Sequence, residues 1–194
     1  MTTRGLRIGL ASVTRLVILG ISLGVSTALR WVRLFPNNDP IMAVMLPCAK
    51  RGRAAAFAFP MVAMVLFDIL SRKVGIWTAV TAGTYGLLGL GFSFVYSALG
   101  KRGRRIGPAT FVVSGVVGVL VFDFITGPIL SSAMFRMSFA QAFVGQIPFT
   151  LKHLASVSAY TLVVSPSLDW VLRQVERAEA AIEHRLASAT ARVA

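Results

Sequence analysis

Two aspartates, Asp68 and Asp123, each close a long apolar run, Val65-Leu66-Phe67-Asp68-Ile69-Leu70 and Val119-Leu120-Val121-Phe122-Asp123-Phe124-Ile125. The two runs echo one another with one insertion, and each follows a basic cluster. Ionisable side chains among apolar residues of this length are costly, so they face a bundle interior and mark a binding site or a proton path. A paired carboxylate of this kind suits a ligand with amine or hydroxyl donors. The structural alternative is that each acid lies at a helix end where water reaches it.

Two further sets of polar and aromatic residues recur at helical spacing. Trp77, Thr78, Thr81 and Tyr85 cluster on one face, at offsets of one, four and eight from the tryptophan. Gln146, Thr150, His153 and Tyr160 form a second stripe, separated by four, three and seven residues. Tryptophan near a membrane boundary also serves as an interfacial anchor, and a membrane histidine also serves as a hydrogen-bond partner for a neighbouring helix. Lys152 points away from the second stripe, where it can snorkel or pair with an acid. No phosphate-binding glycine loop, HExxH, GxSxG or metal-spaced Cys/His set occurs, so the expectation is a non-enzyme without metal or cofactor. The single cysteine, Cys48, excludes an internal disulfide.

The solvent that these residues meet is set by composition. Of 194 residues, 56% are apolar and only 14% charged, with a mean hydropathy of +0.74, far from a soluble domain that must coat itself with charge. About 20 apolar residues cross a hydrocarbon core, and only helices or closed barrels satisfy their backbones there. Runs of this length without strict alternation predict helices. The net charge of +13 is clustered at helix ends and reads as an orientation signal, not as nucleic-acid binding.

The spacing predicts an all-α membrane protein, a bundle of about six transmembrane helices with a cytoplasmic C-terminal amphipathic helix. The first run, Leu10 to Leu29, carries Arg15 and is read as an uncleaved helix, although Ser26 and Ala28 resemble a cleavage site. Ile41 to Cys48 is short for a span; Ala54–Leu70, Val74–Leu99 and Ile106–Thr126 follow, the last broken by Gly127 and Pro128. Phe139–Val164 is predicted to bend or break near Pro148. Ser165-Pro166-Ser167 reads as a helix start, with Asp169 favouring its positive end. The chain therefore divides into a membrane domain, 1–165, and a tail, 166–194. In that tail Leu168, Val171, Leu172, Val175, Ile182 and Leu186 form one stripe.

With six spans, fourteen basic residues fall at the ends shared with the termini and five in the opposite loops: Arg30, Arg33, Arg72, Lys73 and Arg136. The positive-inside rule then puts both termini in the cytoplasm of a multi-pass protein of the cell's inner membrane. Gly20, Gly24 and Ala28 recur every four positions in the first helix, a pattern that lets helices approach closely, within this chain or between chains.

Several of these residues, in order, resemble a known family. Pro36-Asn37-x-x-Pro40 follows the first helix, then Arg51-Gly52-Arg53, a span ending in Asp68, Gly75-Ile76-Trp77-Thr78 and Tyr85-Gly86. The order is similar to that of the substrate-binding S components of energy-coupling factor (ECF) transporters. Phe122-Asp123-Phe124-Ile125-Thr126-Gly127 and Gln146-Ile147-Pro148-Phe149-Thr150 resemble segments of uncharacterised S-component-like groups. The resemblance covers about residues 10–165. It implies a six-helix protein that binds a vitamin or related micronutrient in an outward-facing pocket, capped by the loop after the first helix. It also implies a transmembrane coupling subunit and cytoplasmic ATPases in other chains. Asn37 and Asp39 would then belong to the capping loop, and Asp68, Trp77, Thr78, Tyr85, Asp123, Gln146 and His153 would line the pocket. Gly20, Gly24 and Ala28 would face the coupling subunit, with glycines where the family often has alanine. Two other readings stay open: a scaffold of a cell-envelope assembly anchored by its tail, and a membrane enzyme or proton-coupled secondary transporter using Asp68 and Asp123.

Overall fold

The computed structural model describes residues 3–35 and 37–193, without the side chains of 3–12, 15 and 190–193. Pro36, which opens the loop motif, and the side chains of Arg4, Arg7 and Arg15 lie outside the described residues. The described chain is helical: α1 (Thr3–Val32), α2 (Pro40–Ala49), α3 (Arg53–Leu70), α4 (Ile76–Lys101), α5 (Pro108–Phe124), a π-helical turn (Ile125–Ile129), α6 (Leu130–Phe135) and α7 (Phe139–Val193). Among the described residues, four units are long and apolar enough to cross a membrane: α3, α4, the continuous stretch Pro108–Phe135, and α7. Among the residues with described side chains, Leu16–Val32 of the 30-residue α1 is also apolar, and α2 is a shorter apolar helix.

α2 explains the architecture. Asp39 caps it by accepting a hydrogen bond from the Ile41 amide at 3.1 Å, and Pro40 occupies its first turn, where no amide donor is missed. Its ten residues rise about 15 Å, half a hydrocarbon core. A helix apolar all round must be buried all round. Every residue from Pro40 to Ala49 is buried, and α2 contacts α1, α3, α4, α5 and α7. The centre of the bundle is thus a short helix wrapped by longer ones. Leu16, Leu87, Val113 and Leu151 are exposed on the outer faces, apolar surface suited to lipid.

The turns hold two ends apart. The α2–α3 turn, the α4–α5 turn and the middle of α7 share one end, which we call the basic end; Arg53 stacks on Phe94 there, 4.2 Å from the ring centroid. α3 and α4 form a close hairpin, in which a Cβ on Gly89 would fall 2.0 Å from the Ala56 carbonyl oxygen.

The structure corrects the helix ends expected at Gly127–Pro128 and at Ser165, and of the bend or break expected at Pro148 it shows no break. Gly127 and Pro128 do not end the fifth segment: the chain widens into the π-turn and continues into α6, since a π-turn accommodates a residue without an amide donor. α7 runs through Pro148 without a break. It also runs through Pro166, so no helix starts at Ser165. The Ser165 hydroxyl instead donates to the Ala43 carbonyl at 2.6 Å, and Leu168 and Leu172 are buried against the bundle. Asp169 spends its charge on Lys50 and Arg51, at 3.0 and 2.8 Å, not on a helix terminus. Packing across the proline thus outweighs its local preference for a helix start. Beyond this anchor Ile182 is exposed.

Candidate functional site

The loop between α1 and α2 is sewn down on both sides. Asn38 Nδ2 donates to the Leu29 carbonyl at 2.8 Å, while Tyr160 donates to Asn38 Oδ1. Ser156 donates to the Asn37 carbonyl at 3.1 Å. Asn37 adopts φ 59°, a left-handed conformation that asparagine tolerates better than most residues. These bonds fix Asp39 at the mouth of α2, turned inward.

Asp39 meets two residues that the sequence singled out on distant helices. Its Oδ2 accepts from the Tyr85 hydroxyl of α4 and lies 2.9 Å from His153 Nε2 of α7. The other ring nitrogen, Nδ1, lies 2.8 Å from Asp123 Oδ1 of α5. All four side chains are buried, Asp123 and His153 almost completely. Phe122 stacks on Tyr85 at 4.3 Å and meets the imidazole edge-on at 6.0 Å, and Phe149 closes a third side at 5.8 Å. A neutral imidazole has one donor and one acceptor, so it cannot satisfy two ionised carboxylates. The arrangement holds either an imidazolium donating to both, or a neutral ring with one carboxylic acid. Asp123 Oδ2 has no hydrogen-bond partner among the described residues, a rare condition for a buried oxygen.

That oxygen's residue borders a cavity of about 540 Å³ between α5, the π-turn and α7. The walls are almost wholly apolar, with Phe124, Phe143, Ile147 and Leu151 among them; Asp123, Gln146 and Thr150 also border the cavity but turn little polar surface into it. Gln146 lies against the Gly127 backbone, where a Cβ would fall 2.5 Å from its Oε1, so the π-turn glycine makes room for it. The four named wall residues are exposed, so the cavity opens sideways through the apolar flank of the bundle.

The other expected residues are placed elsewhere. The Thr78 hydroxyl donates to Asp68 Oδ2 at 2.6 Å and accepts from the Gly75 amide at 3.1 Å, which ties the α3–α4 turn. Trp77 stacks on Phe135 of α6 with ring centroids 6.1 Å apart. Among the described residues, no hydrogen bond or ring contact joins Asp68, Trp77 or Thr78 to the histidine cluster. Gly20, Gly24 and Ala28 lie on the exposed face of α1, and a Cβ on either glycine would meet nothing within 4 Å. Within the chain α1 packs through Thr14, Ile18, Ser22 and Ser26 instead.

Asn38 and Ser156 were not among the expected site residues, and the pairing of Asp39 with His153, 114 positions apart, has no local signal. The signal that did exist was the periodicity of His153, Ser156 and Tyr160 on one face of α7. Residues 11–180 match the model of a family described as a family of unknown function (DUF6580), a span that includes the whole histidine cluster and the Asp169 anchor. No curated protein and no solved structure matches the chain.

Proposed function

The chain belongs to the DUF6580 family, and from that premise we propose that it is the substrate-binding subunit of a membrane importer. It resembles an ECF-type S component in this reading and takes up a vitamin or related micronutrient. The single observation that carries the proposal is the cavity of about 540 Å³ that ends on Asp123. Its volume lies in the range of small-molecule sites, and its apolar walls are what such sites use for burial, with Asp123, Gln146 and Thr150 at its border. Asp123 Oδ2 is an unpaired acceptor buried at the cavity wall, which a ligand would reach only by displacing that wall, while His153 holds Oδ1. A ligand with an apolar body and one amine or hydroxyl end suits that lining. Asn37, Asn38 and Asp39 form the stitched loop, linked to Asp123 through His153.

With no nucleotide-binding motif in the sequence, energy would come from ATPases and a coupling subunit in other chains. The open α1 face at Gly20, Gly24 and Ala28 is available to such a subunit. Cytoplasmic termini in the cell membrane complete the reading. The test is native mass spectrometry of the purified full chain. A small molecule should be retained by the parent protein and by the Asp68→Ala variant, and lost from Asp123→Asn and Thr150→Val. Retention in all four, or in none, would defeat the proposal.

One observation favours a second reading. The sequence Tyr85, Asp39, His153, Asp123 is a continuous chain of proton-carrying groups across three helices and a loop. In a proton-coupled secondary transporter such a chain would relay a proton. That reading requires proton-driven uptake by the single chain in proteoliposomes without an ATPase, whereas the importer subunit alone would bind and not transport.

A further inference from the structure

Away from the cavity and the histidine cluster, two depressions adjoin on the seam between α1 and α3. One, of about 480 Å³, runs along the last turns of both helices; Leu23, Leu66 and Leu70 wall it, with Gly24 and Ala28 on its α1 side. The other, of about 440 Å³, lies where the helices end and is bordered by Arg30, Arg33, Ser71 and Lys73. Trp31 and Leu70 line both. From Leu23 to Trp31 α1 rises about 12 Å, close to one leaflet's share of a hydrocarbon core of roughly 30 Å. In a bundle that spans the bilayer, the apolar depression thus lies at acyl-chain depth and the cationic one at headgroup depth. The tryptophan between them sits where such rings anchor.

Charge and space say what covers this seam. The six ion pairs among the described residues leave out Arg30, Arg33 and Lys73. Arg30 feels the charge of Asp39, but the oxygens of that carboxylate are already taken by the Ile41 amide, Tyr85 and His153. The Arg30 guanidinium is also held in place. It stacks on Phe67, 4.2 Å from the ring centroid, and donates to the Met64 sulfur at 3.1 Å, so it stays at the seam instead of swinging out to water. Three cations around one cleft repel one another, and an anion among them relieves that repulsion. No carboxylate borders the cleft to receive an ammonium, so a net-anionic headgroup suits it better than a zwitterionic one. In the apolar depression a Cβ on Gly24 would meet nothing within 4 Å, so no side chain of the protein fills the space beside it.

We propose that this seam binds an anionic phospholipid, with its phosphate on Arg30, Arg33 and Lys73 and one acyl chain along Gly24 and Ala28. The site does not depend on the importer reading; in a chain without a coupling subunit, the lipid lines part of the α1 face offered to that partner. The full chain in nonionic detergent is titrated with a short-chain phosphatidylglycerol, a short-chain phosphatidylcholine and glycerol phosphate, read by native mass spectrometry and thermal stability. Phosphatidylglycerol is expected to bind about tenfold or more tightly than the other two, which lack the net charge or the chain. Its affinity should fall about tenfold in Lys73→Gln, which removes charge, and in Gly24→Leu, which puts a side chain into the groove. It should stay unchanged in Lys101→Gln at the basic end. Gly24 and Lys73 are exposed, so both variants should keep the parental melting temperature without lipid. Equal binding of phosphatidylcholine would assign the groove to bulk lipid, and equal binding of glycerol phosphate would assign the cleft to free anions; either overturns the proposal. So does phosphatidylglycerol binding that survives undiminished in Lys73→Gln or Gly24→Leu, or that is absent from the parent.

Discussion

His153 is buried between Asp39 and Asp123 with both ring nitrogens engaged, and it therefore decides whether those two acids tolerate each other. Replacing it by alanine leaves two carboxylates facing a void, and breaking one member of a buried ionic group costs about 3–5 kcal/mol. Tyr85→Phe removes only one donor to Asp39 and should cost about 1–3 kcal/mol. Thermal unfolding in detergent should rank His153→Ala well below Tyr85→Phe, and equal melting temperatures would show that the cluster is not a unit. Residue types foretold part of this. Asp123 and His153 were visible because an apolar run makes any ionisable group conspicuous. Asp68 looked equivalent to Asp123 from its flanking residues, yet the echo encodes only a helix end. The partner is set by what packs opposite, a threonine of α4 in one case and a histidine of α7 in the other.

Among the elements, α3 and α4 can lie close only because Gly89 has no side chain. Its missing Cβ would overlap the Ala56 carbonyl oxygen at 2.0 Å, which is backbone and cannot rotate away. Gly89→Ala should therefore force the hairpin apart, with an overpacking cost of about 1–3 kcal/mol. Gly24→Ala, on an α1 face with nothing within 4 Å, should change stability by less than about 0.5 kcal/mol. Comparable melting temperatures for the two would contradict this packing. The join of α7 to its tail yields a pH prediction. Burial pushes the Asp169 carboxyl up, but the hydrogen bonds from Arg51 and Lys50 more than offset this and hold it below its ordinary value of 3.8. A lowered value means that the docking contributes in full above that pH and weakens as the pH falls below it. Limited proteolysis of the tail should accelerate in Asp169→Asn at neutral pH, and resistance equal to the parent would show that the ion pairs do not hold it. Sequence pattern located the helices well but misjudged where they stop. Proline and serine signal a break locally, while Leu172 and the Ser165–Ala43 bond act at long range and carry the helix through.

At the scale of the whole molecule, charge is separated along the bundle. Lys50, Arg51 and Arg53 share the basic end with the α4–α5 turn, which carries Lys101, Arg102, Arg104 and Arg105, and with Arg173 of α7. At the other end Arg30, Arg33 and Lys73 border one cleft. The excess at the basic end predicts that this end faces the cytoplasm, because basic loops resist translocation. Cys48 makes the test clean: it is the single cysteine, 1% exposed in α2, with its sulfur 3.4 Å from the Ser22 hydroxyl. No reagent reaches it in the folded bundle, because α2 is buried on every side. The parent chain should then stay unlabelled by a membrane-impermeant maleimide. Lys73→Cys should react in intact cells, and Arg104→Cys only after permeabilisation. The reverse pattern would turn the bundle over. It would also move the Asp39 loop and the histidine cluster to the cytoplasmic half, where they could not receive a substrate from outside, so the importer reading depends on this sidedness as much as on the cavity itself.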